Sequence, residues 1–110
     1  MAKHLLASMT WEEVNAAADE HRVVVVPVGA IEQHGFHLPI DMDNRAVMFV
    51  AEEAARRQPD VLLCAPPIHY GFNEHNMDFP GTVTIQIETL LNYAFEVGRS
   101  LAVQGLNRIV

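Results

Sequence analysis

Residues 21–28 read HRVVVVPV, a stretch whose last six positions are apolar and rich in β-branched side chains. β-Branched residues favour extended backbone, and a continuous apolar run without alternation is typical of a strand buried on both faces. Such strands occur mainly in parallel sheets whose faces are covered by helices. The stretch therefore predicts a central strand of an α/β fold.

Helices are predicted on both sides of this strand. Thr10 and Glu13 have the spacing of a capping box, so a first helix should cover residues 11–20, WEEVNAAADE. A second helix should cover residues 44–58 and end before a proline. Apolar spacing predicts the inner face of the first helix as Trp11, Val14 and Ala17 or Ala18. The same spacing predicts the inner face of the second helix as Ala46, Val47, Val50, Ala51 and Ala54.

The rest of the chain continues the alternation of strand and helix. VLLCAP, from residue 61, reads as a second buried strand, residues 87–104 as a third helix, and NRIV at residues 107–110 as the opening of a third buried strand. Strand, helix, strand, helix, strand is the βαβ pattern of a parallel sheet. We therefore predict a single α/β domain over residues 1–110, with a parallel βαβ sheet layered with helices.

Composition limits the classes of partner that the protein can bind and indicates its cellular compartment. The formal net charge of −7 argues against nucleic acid or an anionic membrane as a partner. No apolar stretch approaches the length of a membrane span. Cys64 is the single cysteine and lies in the apolar sequence VLLCAPP, so it should be an inert buried thiol in a reducing compartment. We expect a cytoplasmic protein.

Two polar loops leave the carboxyl ends of predicted strands, namely the first loop (residues 29–43) and the second loop (residues 66–81). Parallel strands bring such loops to one rim of the sheet, where ligands bind. In the first loop, Glu32 and His34 are two residues apart and would point to the same side of an extended chain. Such a pair suits a zinc- or manganese-type cation. Asp41 and Asp43 would form a second same-side pair in an extended segment, and Asp43 also lies at the next helix start, which would anchor its carboxylate. Alternatively, the loop is merely polar and Asp43 is an ordinary N-cap.

Several motifs resemble the creatininase family of creatinine amidohydrolases and their relatives. V-P-V-G-A-x-E-Q-H-G-x-H-L-P-x-x-x-D spans residues 26–43, P-P-x-x-Y-G residues 66–71, F-P-G-T residues 79–82 and G-R-S-L-A-x-x-G residues 98–105. The resemblance covers nearly the whole chain and implies a creatininase-like fold. It also implies a ring-like homo-oligomer, usually a hexamer.

The resemblance implies that Glu32, His34 and Asp43 are the first three metal ligands, and that Asp43 bridges two ions in the complete protein. It leaves zinc, manganese and iron open as the metal. Members of the family hydrolyse C–N bonds of small amides, and one relative acts on a short peptide. A metal-activated water would attack the carbonyl group. His37 and Asp41 should lie outside the ligand set.

The second loop departs from the family pattern G-x-S-x-x-H-x-x-F-P-G-T. Asn73 stands at the serine position, Asn76 at the histidine position, and His75 lies one position early. We predict that His75, Asn73 and Tyr70 contact a substrate that differs from creatinine. An alternative is that the loop only packs Phe72, Met77 and Phe79 under the rim.

The family's further metal ligands and acid–base groups would lie downstream of the R-I-V motif. We therefore expect residues 1–110 to be the amino-terminal portion of a larger creatininase-like domain and, alone, to show no amidase turnover. The alternative is a truncated or split non-catalytic homologue that acts as a binding or assembly subunit. A nucleotide-binding module is disfavoured because no G-x-G-x-x-G follows the first strand.

Overall fold

The computed structural model describes residues 2–110 of the chain. Three α-helices and a two-stranded sheet form its framework. They are α1 (Trp11–Asp19), β1 (Val23–Val25), α2 (Met42–Arg57), β2 (Leu62–Cys64) and α3 (Ile87–Val103). Short 3-10 turns lie at Leu6–Ser8 and Glu74–Asn76. The three predicted helices and the first two predicted strands are therefore present, although these strands are shorter than their apolar runs.

β1 and β2 pair in parallel, with Val24 opposite Leu63. The pairing continues past the strand ends through a parallel bridge between Val28 and Ile68. On the other side of β1, the predicted third strand contributes one parallel bridge, between Val24 and Ile109. The predicted parallel α/β fold is confirmed, but the burial predicted for the third strand is wrong, since Val110 is 78% exposed.

The core lies against the two strands. Val24, Leu63 and Leu106 are its largest fully buried side chains. Ala17 and Ala18 of α1 complete this cluster from one side, whereas Ala51 and Ala55 of α2 pack with Cys64 in a second cluster. Burial, followed by the nearby charge of Glu52, raises the pKa of the Cys64 thiol. The prediction of a buried, unreactive cysteine is thus confirmed as far as its burial.

The start of α1 is a capping box, as predicted. The Thr10 hydroxyl accepts a hydrogen bond from the Glu13 amide at 3.3 Å, and the Thr10 amide donates to the Glu13 carboxylate at 2.8 Å. The predicted inner face of α1 is wrong at Trp11, because this side chain is 78% exposed. Trp11 lies two turns, about 10 Å, before the buried Ala18, where only Val14, Asn15 and Gln104 line an open groove. The helix therefore extends beyond the part of the core that could cover it.

The buried face of α2 is also rotated from the predicted one. Val50 is 66% exposed, and the buried positions are Asn44, Ala51 and Ala55. With Met48, which packs on the second cluster, they form a stripe at helical spacing. Ala51 is buried as predicted, but the other predicted positions instead line an open apolar groove with Val25, Pro27 and Val28; they are Ala46, Val47, Val50 and Ala54. Alanines at the contact let α2 approach β2 closely, and the larger valines remain outside.

α3 has the predicted extent but packs little. None of its residues is buried, and its apolar side chains Leu91, Phe95 and Val103 are 62%, 65% and 77% exposed. Glu88 and Glu96 are exposed as well, as expected for surface charges. Within residues 2–110, no helix is both long and apolar enough to cross a membrane.

A buried arginine joins three segments at the start of β1. Arg22 is 5% exposed, and its guanidinium donates to the backbone carbonyls of Lys3, Pro59 and Leu62. Hydrogen bonds from a charged donor to buried carbonyls contribute more than neutral ones. Arg22 thereby holds the amino-terminal segment and the entry to β2 against β1.

Gly29 determines how closely α2 approaches the end of β1. A Cβ at this position would lie 1.8 Å from Oδ1 of Asn44 and 3.1 Å from its Cα. Asn44 is 6% exposed and its amide donates to the His69 carbonyl at 3.2 Å. Its Oδ1 is buried without a hydrogen-bond partner in residues 2–110. The absence of a side chain at Gly29 therefore lets one asparagine connect α2 to both loops.

Gly29→Ala should consequently lower the free energy of unfolding by about 1–3 kcal/mol, because the new methyl overlaps a buried side chain and nearby backbone. Gly98→Ala is the matched control, since its nearest atom, Cδ1 of Ile109, would be 4.0 Å away. That change should raise stability by up to about 1 kcal/mol through helix propensity. Equilibrium urea unfolding measures both, and a wild-type midpoint for Gly29→Ala would contradict the packing described.

Candidate metal centre

The first loop is held at the carboxyl edge of the sheet by backbone hydrogen bonds. The Gly29 amide donates to the Ile68 carbonyl at 2.9 Å, so the loop leaves β1 beside the start of the second loop. The Val83 amide donates to the Ile31 carbonyl at 3.0 Å, and the Glu32 amide to the Ile40 carbonyl at 3.1 Å. The backbone on either side of Glu32 is therefore restrained before any ligand binds.

Glu32, His34 and Asp43 converge at this edge. Each offers a ligand atom, and these atoms lie within 4.8 Å of one another. All three residues are half-buried. Asp43 lies in the first turn of α2, which begins at Met42, so it is not the N-cap residue. The side chains that the sequence predicted to share a site are thus brought together by the strand end and the helix start.

A hydrogen bond to a nearby backbone carbonyl orients the ring of His34. Nδ1 lies 3.1 Å from the Glu32 carbonyl oxygen, and because a carbonyl only accepts, Nδ1 carries the proton in this hydrogen bond. Nε2 lies 3.2 Å from Oδ1 of Asp43. The hydrogen bond to the Glu32 carbonyl, and then the carboxylate of Asp43, raise the pKa of His34. This tautomer directs Nε2 at the carboxylates, as in histidines that ligate metals.

The donor set fits a divalent cation. One imidazole nitrogen and two carboxylates suit zinc, manganese or iron. The 3.2 Å between Nε2 and Oδ1 is close to the roughly 3.3 Å that separates two ligands about 2.05 Å from a tetrahedral ion. The widest spacing, up to 4.8 Å, exceeds the roughly 4.2 Å that two ligands can span across one ion. A small inward movement of one side chain would therefore complete the coordination.

Other polar residues of the first loop take different partners. The carboxylate of Asp41 binds Nε of Arg45 through both oxygens, at 2.8 Å each. Asp41 is thereby directed along α2 rather than toward His34. His37 does not join the group of ligand atoms either. Both residues lie where the sequence analysis expected them, outside the cluster.

The second loop also approaches the cluster. Nε2 of His75 is 3.9 Å from Oε2 of Glu32, and the His75 side chain is 69% exposed. Asn73, by contrast, is 3% exposed, and its amide donates to the Val83 carbonyl at 2.9 Å. Tyr70 is half-exposed beside a groove shared with Ile85, Thr89 and Tyr93. His75 and Tyr70 are therefore accessible, while Asn73 anchors the loop.

The alternative reading of the second loop, in which apolar side chains merely pack under the rim, is wrong. Phe72, Met77 and Phe79 are 43%, 46% and 50% exposed. The loop is held instead by polar contacts, including the bond of 2.8 Å from the backbone N–H of Asn73 to the Thr84 hydroxyl oxygen. Its apolar side chains remain about half-exposed.

Asn76 is the residue of the site that the sequence analysis missed. Its Nδ2 donates to Oε2 of Glu32 at 2.7 Å, the shortest contact that the second loop makes with the cluster. The sequence singled out Asn76 only as a departure from a motif. Its membership of a loop predicted to share the rim with Glu32 was the signal that could have identified it.

Comparison with known proteins extends this description. The family model for creatininase, described as creatinine amidohydrolase, matches residues 7–110. The mycofactocin precursor peptide peptidase of Mycobacterium ulcerans is 41% identical over 87 residues, covering 72% of this chain and 34% of that protein. The creatinine amidohydrolase of Pseudomonas putida is 31% identical over 111 residues, covering 96% of this chain and 42% of that protein.

Solved creatininase structures share the fold. A manganese form superposes with a TM-score of 0.89 at 31% identity, covering 97% of this chain and 44% of that one. A zinc–zinc form of a creatininase variant superposes with a TM-score of 0.88 at 30% identity, covering 98% of this chain and 44% of that one. This chain thus spans well under half the length of the proteins it matches. Since the family model covers nearly all of it, the chain belongs to the creatininase family.

Proposed function

We propose that the protein is a metal-dependent amidohydrolase that hydrolyses a C–N bond, in an amide or cyclic amide, of a small molecule. The convergence of Glu32, His34 and Asp43 within 4.8 Å carries this proposal. Hydrolase relatives, an amidohydrolase and a peptide peptidase, support the reaction class. The same triad makes a non-catalytic binding or assembly subunit the less favoured reading, because such a role needs no convergent ligand set.

Each residue of the triad has a distinct part in holding the cation. Glu32 and Asp43 supply carboxylate oxygens, and His34 supplies Nε2 because its Nδ1 is committed to the Glu32 carbonyl. A divalent ion bound there would supply a Lewis acid that lowers the pKa of its water and polarises the amide carbonyl. Asp43, in the first turn of α2, also lies in the positive field of the helix amino terminus, which stabilises its carboxylate.

Zinc and manganese are the metals we propose. Mixed nitrogen and oxygen donors suit both ions, and creatininase structures in manganese and zinc–zinc forms share this fold. Three protein ligands leave coordination positions open for water and substrate, as in catalytic zinc sites. We propose two ions in the complete protein, with Asp43 shared between them.

Substrate contact is assigned to His75 and Tyr70. His75 is exposed and within 3.9 Å of Glu32, so its imidazole can reach a molecule bound at the cluster. Tyr70 presents its ring and hydroxyl at the start of the same loop and is 50% exposed. Asn73 is buried and its amide is occupied, so we propose that it supports the loop without touching substrate.

We further propose a cytoplasmic homo-oligomer, a hexamer by family resemblance. The buried, free Cys64 is in keeping with a reducing compartment. The exposed apolar side chains of α3, among them Leu91 and Phe95, would be covered in an assembly.

In the complete protein, Glu32→Gln and His34→Ala should abolish metal binding and amide hydrolysis together. Each change removes a ligand, which should weaken metal affinity by more than the roughly 10–100-fold that loss of a supporting partner costs. Metal content after dialysis against zinc or manganese is measured by elemental analysis, and hydrolysis is assayed with creatinine and with short peptides.

Asp41→Asn and His37→Ala are the matched controls for these ligand variants. They lie in the same loop, carry the same chemical groups and remain outside the cluster, so both should retain metal and activity. Full metal occupancy in Glu32→Gln and His34→Ala would show that the triad is structural and would overturn the proposed site.

In the complete protein, His75→Ala should separate binding of metal from binding of substrate. Removing an exposed imidazole should leave metal content unchanged but reduce kcat/KM by about tenfold or more, equivalent to one charge-assisted hydrogen bond. His37→Ala again serves as the control. Equal loss of metal and activity in His75→Ala would instead identify this residue as a ligand.

A further inference from the structure

A chain of side-chain hydrogen bonds connects the two loops beside the candidate metal centre. The Gly35 amide donates to Oε1 of Gln33 at 2.9 Å, and Nε2 of Gln33 donates to Oδ1 of Asn76 at 3.2 Å. Nδ2 of Asn76 then donates to Oε2 of Glu32 at 2.7 Å. The chain thus begins at a backbone amide and ends on a carboxylate of the triad.

We propose that Gln33 and Asn76 are positioning residues, which form a directional relay that orients the Glu32 carboxylate for the cation. The inference rests on the proposed metal-dependent function and assigns a role to two residues beyond the three ligands. Asn76 acts directly on Glu32, whereas Gln33 acts through Asn76.

The direction of the relay follows from its two ends. A backbone N–H can only donate and a carboxylate can only accept. The Gly35 N–H therefore requires the oxygen of the Gln33 side-chain amide to face it, and the Glu32 carboxylate requires the NH₂ group of the Asn76 side-chain amide to face it. These two orientations are compatible at the middle hydrogen bond, where an N–H of the Gln33 side chain donates to the side-chain oxygen of Asn76. Turning either amide over would place like groups against each other in two places. Each orientation therefore reinforces the other.

The relay also joins positions that are distant in sequence. Gln33 and Asn76 are 43 residues apart and Asn76 and Glu32 are 44 apart, and both bonds are partly buried. The backbone N–H of Gln33 additionally donates to the Thr82 hydroxyl oxygen at 3.1 Å. Partial burial weakens competition from water, which makes a correctly oriented bond to a charged group more effective.

An amide at position 76 suits a carboxylate that must also bind a cation. A carboxylate has two oxygens with about four lone-pair positions, so Glu32 can accept from Asn76 and still act as a ligand. The amide donates without a net charge, and thus does not repel the cation. His75 lies 3.9 Å from the same oxygen, beyond hydrogen-bond distance. Asn76 is therefore the residue that fixes Oε2.

The test is a double-mutant cycle on metal affinity with Asn76→Leu, Gln33→Ala and both changes together. Competition titrations with zinc give the dissociation constants, and the visible absorption of bound cobalt reports the ligand geometry. Asn76→Leu should weaken zinc binding by about 10–100-fold, the effect typical of a lost supporting partner, and should alter the cobalt spectrum. Gln33→Ala should weaken binding less.

The double variant should bind zinc no more weakly than Asn76→Leu alone, because Gln33 has no further effect once Asn76 is gone. A purely structural role would not give this coupling. Asn92→Leu, at an exposed position of α3, is the control and should leave zinc affinity unchanged. Thermal unfolding of the metal-free proteins verifies that each variant is folded.

The possible failures are distinguishable. Wild-type zinc affinity in Asn76→Leu, or fully additive effects in the double variant, would overturn the relay while leaving the metal site intact. A wild-type protein that binds neither zinc nor cobalt would overturn the proposed function itself, and the relay with it.

Discussion

Parallel pairing of β1 with β2 is the constraint on which the candidate site depends. Because the strands run in the same direction, the first and second loops both leave from one edge of the sheet. Val24 and Leu63, paired at the middle of the ladder and fully buried, keep its hydrogen bonds away from water. The bridge between Val28 and Ile68 extends this register to the first residues of the loops. An antiparallel arrangement would have separated Glu32 from Asn76 by the length of a strand.

The cluster at this edge brings two carboxylates close together, which is unfavourable without compensation. The structure supplies partial compensation to each: the Asn76 amide donates to Glu32, and Asp43 lies in the first turn of α2, beside the positive amino terminus of that helix. These groups offset the repulsion only partly, since most are neutral dipoles. A cation is the natural complement of the negative charge that remains, which is the physical basis for the proposed chemistry.

Helix packing shows where reasoning from periodicity stops. The apolar repeats correctly predicted the helices, but Trp11 and Val50 of the predicted inner faces are exposed. Periodicity identifies a face of a helix, whereas burial depends on which neighbouring element reaches that face. For α2, the small residues Ala51 and Ala55, together with the fit of Asn44 against Gly29, determine the rotation instead. Such contacts involve backbone that lies far away in the sequence.

The sequence by itself determined the order of the helices and of the two paired strands and the parallel α/β class, because these depend on local spacing and on the direction of successive strands. The choice of Glu32, His34 and Asp43 as candidate ligands came from the resemblance of their motif to the creatininase family. Tertiary structure alone decided that Asn73 is buried, that Asp41 pairs with Arg45, and that Gln33 and Asn76 meet beside Glu32. Those outcomes depend on side-chain hydrogen bonds whose lengths and directions are set by how two loops pack. A difference of about 1 Å in that packing makes or breaks such a bond, and no residue pattern within either loop specifies it.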